Sequence, residues 1–485
     1  MNIKNDNSLS KKIVSGMIWR LLERGGMQIM QFVIQIVLAR LLSPNDYGLL
    51  AIITVFISFS TTLINNGLGN AIIQRQDATE VEFNTVFYIQ LGIATVCYIA
   101  IFLSAPFIAQ YYGNDNLIVY LRVMSIMLFI EALSSMQLTA LRKRMEFKKS
   151  FFANVTGVFI QGVSGITFAL LGLGIWSLIL SQILMKIAIL LVLLIMVKWR
   201  PRALFSFDSF KGLFSYSWKL TVAWMIGTLH QQIYSLVIGK CFSTEILGYY
   251  NRGQNLPQTM TTTVNETISS VMFTALSKLQ DNKQEFKNYT RLMMKLTAFA
   301  ICPIMAGIAG VSENFVYVIL TEKWAPSILM MQLFCISFGI NILSTSNMQA
   351  FNAIGRSDVF MKLEIVKRGL SLVLLIIAAQ FNIYLVIIVL AAMGVFSLIY
   401  NSFPNRKLLG YTIKEQLVDV VPSLVISLIM YGAVIMVNIL PAPRIILLVV
   451  QIFVGAVVYM TLSFIFNKEG TREILIVINK LRGKA

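Results

Sequence analysis

Apolar stretches of roughly 20 residues recur along this 485-residue chain, each long enough to cross a hydrocarbon core of about 30 Å. Stretches of this length predict transmembrane helices, so we predict an all-α polytopic membrane protein with fourteen passes. The predicted spans are 14–38, 47–73, 83–104, 117–140, 151–172, 175–197, 213–238, 246–276, 292–312, 326–352, 363–380, 383–403, 417–439 and 444–466.

The composition supports a membrane protein. Hydrophobic residues make up 57% of the chain and charged residues only 13%, whereas soluble domains carry about 25% charged residues. Together with a mean hydropathy of +0.75, this excludes an ordinary water-soluble enzyme. The formal net charge is +18, which in a soluble protein suggests a nucleic-acid partner. Here the positions of the basic residues indicate that they determine the membrane topology, so we expect no nucleic-acid partner.

The basic residues lie mainly in one set of alternate loops, for example in the run from Arg142 to Lys149. The other set receives few cations. These are Arg40, Lys240, Lys323 and Arg444. Because Lys and Arg in short loops stay on the cytoplasmic side, we expect both termini in the cytoplasm. The first apolar run is long and contains Arg20 and Arg24, so it reads as helix 1 and not as a cleavable signal peptide.

An internal repeat divides the predicted helices into two sets of six. At an offset near 200 residues, the segment 38–50 (LARLLSPNDYGLL) matches 237–250 (VIGKCFSTEILGYY). Matched pairs, at offsets of 200 or 212, include Arg40 with Lys240, Ser43 with Ser243, Gly48 with Gly248, Arg144 with Arg356, and Glu146 with Asp358. We therefore predict an N-lobe over 1–208, a C-lobe over 209–404, and two further helices with an amphipathic cytoplasmic tail over 405–485, with a cavity between the lobes.

Polar stripes run along several of these helices. Helix 1 carries Arg20, Arg24, Gln28, Gln31 and Gln35 at helical spacing, and helix 8 carries a similar row that includes Arg252 and Asn255. Such stripes either join neighbouring helices by hydrogen bonds or line an aqueous cavity. Their recurrence in repeat-related helices favours the cavity.

Six cations fall within the predicted spans, and few acids accompany them. The cations are Arg20, Arg24, Arg122, Lys186, Lys219 and Arg252. The acids are Glu23, Glu131 and Glu266. Cations near helix ends can extend to the headgroups, but Arg24, Lys186 and Arg252 lie deeper. The surplus positive charge favours an anionic substrate, and arginine suits phosphate oxygens in particular.

No motif in the chain predicts an enzyme. A Gly-Lys phosphate loop, a metal-ligand cluster and a nucleophile beside a base are all missing from the sequence, so we expect no catalytic residues, metal or cofactor. We interpret the single histidine, His230, as a hydrogen-bonding residue in preference to a proton carrier. Four scattered cysteines read as small apolar residues.

The ordered motifs resemble the polysaccharide transporter family, within the superfamily that also contains multidrug and toxin extruders and lipid II flippases. The motifs are Trp19-Arg20, the segment LARLLSPNDYGLL at 38–50 and Asn-Gly-Leu-Gly at 66–69. The resemblance implies a V-shaped pair of lobes that alternate between inward-open and outward-open states. It also implies translocation of undecaprenyl-diphosphate-linked oligosaccharide across the bacterial inner membrane for surface polysaccharide assembly, with a polymerase as an expected partner.

The resemblance also suggests site residues. Arg24 and Arg252 match, in helix and depth, the arginines that lipid II flippases use for the diphosphate. Lys219 and Lys186 are further candidates for phosphate, Arg20, Gln28, Gln31 and Asn255 for the rest of the headgroup, and Glu23 and Glu266 for ion coupling. Two rival functions stay open: a drug extruder of the same fold, and a scaffold of a polysaccharide-biosynthesis complex that transports nothing.

Overall fold

The computed structural model describes residues 25–467, apart from 66, 76, 280–281 and 355, and describes only the backbone at 216, 267, 270–271, 273–274, 278 and 357–358. Across this part of the chain the secondary structure is helical, without strands. The helices are α1 Gly25–Leu41, α2 Pro44–Ile64, α3 Leu68–Gln74, α4 Glu80–Tyr112, α5 Asn116–Met124, α6 Met127–Lys143, α7 Phe147–Leu170, α8 Ile175–Met196, α9 Phe207–Cys241, α10 Thr244–Lys278, α11 Lys283–Phe315, α12 Ser327–Ala353, α13 Ser357–Ala378, α14 Ile383–Leu409, α15 Ile413–Met436 and α16 Arg444–Phe466. Short π and 3-10 turns occupy Val316–Leu320, Glu322–Trp324 and Val437–Ile439.

Ten helical segments among the described residues are long and apolar enough to span a membrane. The all-α membrane fold is therefore confirmed. The other four predicted passes, 14–38, 213–238, 246–276 and 363–380, overlap α1, α9, α10 and α13 where their residues are described, and the described parts of these helices are shorter or more polar. Fourteen passes in a V shape stay a prediction.

The chain divides into two compact units between Gly248 and Tyr249. The first unit has its core where α2, α4, α5, α6 and α8 pack together. Its buried side chains include Leu49, Ile53, Ala94, Leu121, Leu128 and Ile179. In the second unit, α11, α12 and α15 bury a cluster that includes Met294, Ile301, Cys335, Ile342 and Val420. The predicted lobe boundaries at 208 and 404 stay predictions.

Two breaks interrupt predicted passes, and one of them positions a polar side chain for contact with a neighbouring helix. The pass predicted at 47–73 is interrupted between α2 and α3, where Asn65 ends α2 and Gly67 precedes α3. The pass predicted at 117–140 is interrupted between α5 and α6 near Ser125. A break frees side chains of the last turn to bond across to neighbouring helices, and Asn65 does so.

Repeat-related glycines let two helix starts approach closely. The position of a Cβ on Gly48 is occupied by the carbonyl of Thr244, and that of a Cβ on Gly248 by the carbonyl of Pro44. The contact is reciprocal, because each glycine faces the first residue of the other helix. Only glycine allows backbones to meet this closely, which gives the matched pair in the sequence repeat a packing role.

Candidate functional site

An ion pair lies at the middle of two membrane-spanning helices of the first unit. The Lys186 Nζ is 2.6 Å from the Glu131 Oε2, and the two side chains are 25% and 13% exposed. Lys186 lies eleven residues into α8, about 16 Å along the helix axis at 1.5 Å per residue. At that depth an isolated charge costs several kcal/mol, so each side chain neutralises the other.

Neutral donors hold the second carboxylate oxygen of this pair. Asn65 Nδ2 donates to Glu131 Oε1 at 2.9 Å. Ser135 Oγ donates to Asn65 Oδ1 at 3.1 Å, and Gln90 Nε2 donates to Ser135 Oγ at 3.2 Å. The network therefore joins α2, α4, α6 and α8 around one carboxylate. A buried polar network of this kind fixes side-chain positions that an apolar core leaves free.

Arg252 occupies a buried position on α10 in the second unit. Its side chain is 9% exposed, and the guanidinium carbon lies 5.1 Å from the ring centroid of Trp324, which is itself fully buried. The neighbouring Gly253 makes this depth possible, since a Cβ there meets the Met330 Cβ at 3.0 Å and the Met331 backbone nitrogen at 3.1 Å. The close approach of α10 to α12 thus sets the arginine against the indole face, a cation–π arrangement.

Other predicted site residues lie on α1, α9 and α10. Gln28 is exposed and Gln31 is half-buried on α1, while Lys219 is exposed on α9, 5.9 Å from the ring centroid of Trp218. Asn255 and Glu266 are exposed on α10. Arg20, Glu23 and Arg24 lie outside the described residues, as does the predicted amphipathic tail. The assignment of these residues to a substrate site stays a prediction.

A second charged cluster, which we did not predict from the sequence, attaches α15 to α11. Asp419 is buried and accepts two hydrogen bonds from Arg291, at 2.9 and 2.8 Å, with Lys295 at 3.6 Å. Tyr411 donates to the same carboxylate at 2.9 Å. Burial, and then the Asp419 charge, raises the pKa of Tyr411. Bidentate arginine–carboxylate geometry makes this a strong link within the second unit.

The sequence identified the members of the central pair without pairing them. Glu131 and Lys186 each stood out as a charge inside an apolar span, but a separation of 55 residues carries no helical or hairpin spacing. Their equal depth, in helices of the same predicted lobe, is the one available signal. Gln90 and Ser135 were missed, because a single amide or hydroxyl in a transmembrane helix is common. In the described part of the chain, no group of three His, Cys, Asp or Glu side chains has metal-site geometry.

Comparison with known proteins gives a consistent result. Residues 37–329 match a family model described as "Polysaccharide biosynthesis protein". The chain is 25% identical to the lipopolysaccharide biosynthesis protein WzxC of Escherichia coli (strain K12), over 77% of this chain and 76% of WzxC. It is 24% identical to the teichuronic acid biosynthesis protein TuaB of Bacillus subtilis (strain 168), over 73% of both chains. With the succinoglycan biosynthesis transport protein ExoT of Rhizobium meliloti (strain 1021) it shares 23% identity over 68% of this chain and 67% of ExoT.

Among solved structures, the lipid II flippase MurJ in an inward closed conformation has a TM-score of 0.73 at 15% identity, covering 93% of this chain and 99% of that chain. An inward-facing multidrug resistance MATE family transporter has a TM-score of 0.62 at 12% identity, covering 79% and 95%. At these identities the likeness establishes a shared fold and nothing finer.

Proposed function

Because the chain belongs to the polysaccharide biosynthesis protein family, as its motifs predicted, we propose that it is a flippase for lipid-linked oligosaccharides. The observation that carries the proposal is the length of the similarity. Relatives named for the biosynthesis of lipopolysaccharide, teichuronic acid and succinoglycan align over 68–77% of the chain. The fold shared with a lipid II flippase supports the same proposal.

The proposed substrate is an undecaprenyl-diphosphate-linked repeat unit, moved by alternating access across a bacterial inner membrane. We assign the diphosphate to Arg24 and Arg252, with Lys219 and Lys186 as further contacts. Arginine binds phosphate oxygens through paired donors. The indole of Trp324 supports this assignment, because its ring lies 5.1 Å from the Arg252 guanidinium carbon and can help to position that group.

The sugars are assigned to polar side chains, most of them uncharged. Gln28, Gln31 and Asn255, together with Arg20, offer donors and acceptors that suit hydroxyl groups. Glu23 and Glu266 are the proposed ion-coupling groups. In this proposal the protein changes only the location of its substrate, so it is a transporter and not an enzyme, and both termini face the cytoplasm.

A deletion strain tests the proposal directly. We expect lipid-linked repeat units to accumulate on the cytoplasmic side when the gene is removed, measured by mass spectrometry of extracted lipids. Arg252→Ala should reproduce the accumulation, whereas Arg406→Ala, which removes an exposed arginine of α14, should complement the deletion. Unchanged lipid-linked intermediates, together with altered drug resistance, would favour the extruder that shares this fold.

A further inference from the structure

A cavity of about 290 Å³ lies at one end of the first unit, where α6 ends, α7 begins and the chain leaves α8. Its floor is apolar, made by the buried Leu141 and Val197 with Ala140. Its remaining lining carries three cations and one carboxylate. These are Arg144, Lys149, Lys198 and Glu146. The positive-inside distribution assigns this end to the cytoplasmic side.

Two neighbouring cations bond the carbonyls of helix ends, whereas the side chains of Arg144 and Lys198 make no such bond to the described residues. Lys143 Nζ donates to the carbonyls of Ile72 and Arg75, at the end of α3, at 3.1 and 2.7 Å. Arg200 donates to the carbonyl of Val197 at 2.5 Å and also bonds that of Leu194, at the end of α8. Favourable contact with a helix C-terminus therefore explains these two charges.

Lys149 pairs with Glu146 at 2.5 Å. Within the described residues, no carboxylate lies within 4 Å of Arg144 or Lys198, and neither side chain has a hydrogen-bond partner there. The cavity thus keeps a surplus of positive charge that the protein does not neutralise. The one carboxylate of the cavity lining, that of Glu146, is already paired with Lys149.

The first turn of α7 adds charge of the unfavourable sign. This turn contains Lys148 and Lys149 and no acidic residue, although the N-terminal end of a helix disfavours cations. The preceding Met145, with a positive φ of 57°, ends α6 in a left-handed cap in which the Glu146 N–H donates to the Leu141 carbonyl at 2.9 Å. The two lysines, in contrast, depart from the local rule, and such departures concentrate at functional positions.

The sequence repeat provides an internal comparison. By the helix starts, Phe147 for α7 and Ser357 for α13, the positions of Lys148 and Lys149 correspond to Asp358 and Val359. The repeated corner in the second unit therefore forms without the two lysines. Their presence in the first unit is not required by the turn between the helices.

We propose that this cavity is a binding site for the phosphate headgroup of an anionic phospholipid of the cytoplasmic leaflet. Trp199, next to Lys198, packs on the rings of Phe83 and Phe87, at 6.3 and 5.8 Å between centroids. Tryptophan typically lies at headgroup depth, and basic pockets between helices on this side suit acidic headgroups. The apolar floor favours a lipid over a free phosphate ion. This inference is independent of the transported substrate.

The test measures lipid binding to the purified full-length protein in detergent, by native mass spectrometry and by thermal shift. We expect phosphatidylglycerol to bind and stabilise the protein, and phosphatidylcholine to do so much less. Each cation near the surface is worth about 1 kcal/mol, or roughly fivefold in affinity. The variant R144Q/K149Q/K198Q should therefore bind phosphatidylglycerol on the order of 100-fold more weakly.

The matched control is K211Q/K362Q/K407Q, which removes the same charge from exposed lysines of α9, α13 and α14. It should bind phosphatidylglycerol like the wild type. Equal weakening in both variants, or equal binding of the two phospholipids by the wild type, overturns the site. Equal stabilisation by glycerol 3-phosphate, or binding of a polyprenyl diphosphate alone, overturns the phospholipid assignment. The single variant K198E repeats the measurement of phosphatidylglycerol binding without breaking a contact within the protein, and it too should bind this lipid more weakly than the wild type.

Discussion

The central ion pair permits a quantitative prediction through a double-mutant cycle. Lys186→Met leaves the Glu131 carboxylate without its cation, and Glu131→Gln leaves the ammonium without its anion. Because the side chains are only 25% and 13% exposed at mid-membrane, each single substitution should lower the free energy of unfolding by roughly 3–5 kcal/mol. The double variant removes both charges and keeps an amide that can bond Asn65. We expect its stability to lie near that of the wild type.

The assay is unfolding in mixed detergent and SDS micelles, followed by tryptophan fluorescence. The surface pair of Arg202 and Glu80, at 2.8 Å but 68% and 62% exposed, is the matched control. Its cycle, Arg202→Met with Glu80→Gln, should give a coupling of about 1 kcal/mol or less. If the central double variant loses as much stability as both single variants combined, the pair does not neutralise itself in the way described. Export by a stable double variant would remove Lys186 from the proposed phosphate site.

Further predictions address packing, the second cluster and the candidate arginine. Gly248→Ala should destabilise the protein by about 1–3 kcal/mol because the added methyl meets a backbone carbonyl. Gly92→Ala, with open space around the glycine, should instead stabilise its helix by up to about 1 kcal/mol. The same unfolding assay measures both changes. Asp419→Asn should cost roughly 2 kcal/mol, because Arg291 loses the carboxylate that accepts two of its hydrogen bonds and keeps only the Glu415 carboxylate at 3.9 Å. Normal stability would contradict the assigned link. The raised pKa of Tyr411 means that the folded state keeps a proton which the unfolded state loses above about pH 10, so stability should fall as pH rises past that point and Tyr411→Phe should flatten the pH profile. Arg252→Lys keeps the charge but loses the paired donors of the guanidinium, so export should fall several-fold without loss of protein from the membrane. Full activity would argue against paired phosphate contacts.

The fold followed from hydropathy and the repeat because both act over long stretches. Each predicted pass coincides with a helix wherever the residues are described, including α10, whose polar row from Asn251 to Ser269 obscures its hydropathy. The internal interruptions at Asn65 and Ser125 were not predicted. A break of one or two residues inside an apolar stretch changes its mean hydropathy little, and no proline marks either position.

The candidate site was less predictable, since spacing along one helix does not determine which helices touch. The role of the amides on α1 stays a prediction. The residues that bond to one another, such as Asn65 with Glu131 and Arg291 with Asp419, come from distant segments. A ratio of cations to acids over the whole chain could not show which charges neutralise each other. Pairing is a property of packing, which composition does not contain.

The pairing changes which cations can select an anion. Lys186 already faces the Glu131 carboxylate at 2.6 Å, so a phosphate that binds Lys186 must displace Glu131. The displaced carboxylate then either stays charged in a low-dielectric environment or takes up a proton. Lys219 is exposed, without a carboxylate within 4 Å among the described residues. We therefore propose that, of these two cations, Lys219 binds a diphosphate at the lower electrostatic cost. A substitution at Lys219 should then affect transport more than stability, the reverse of the expectation at Lys186.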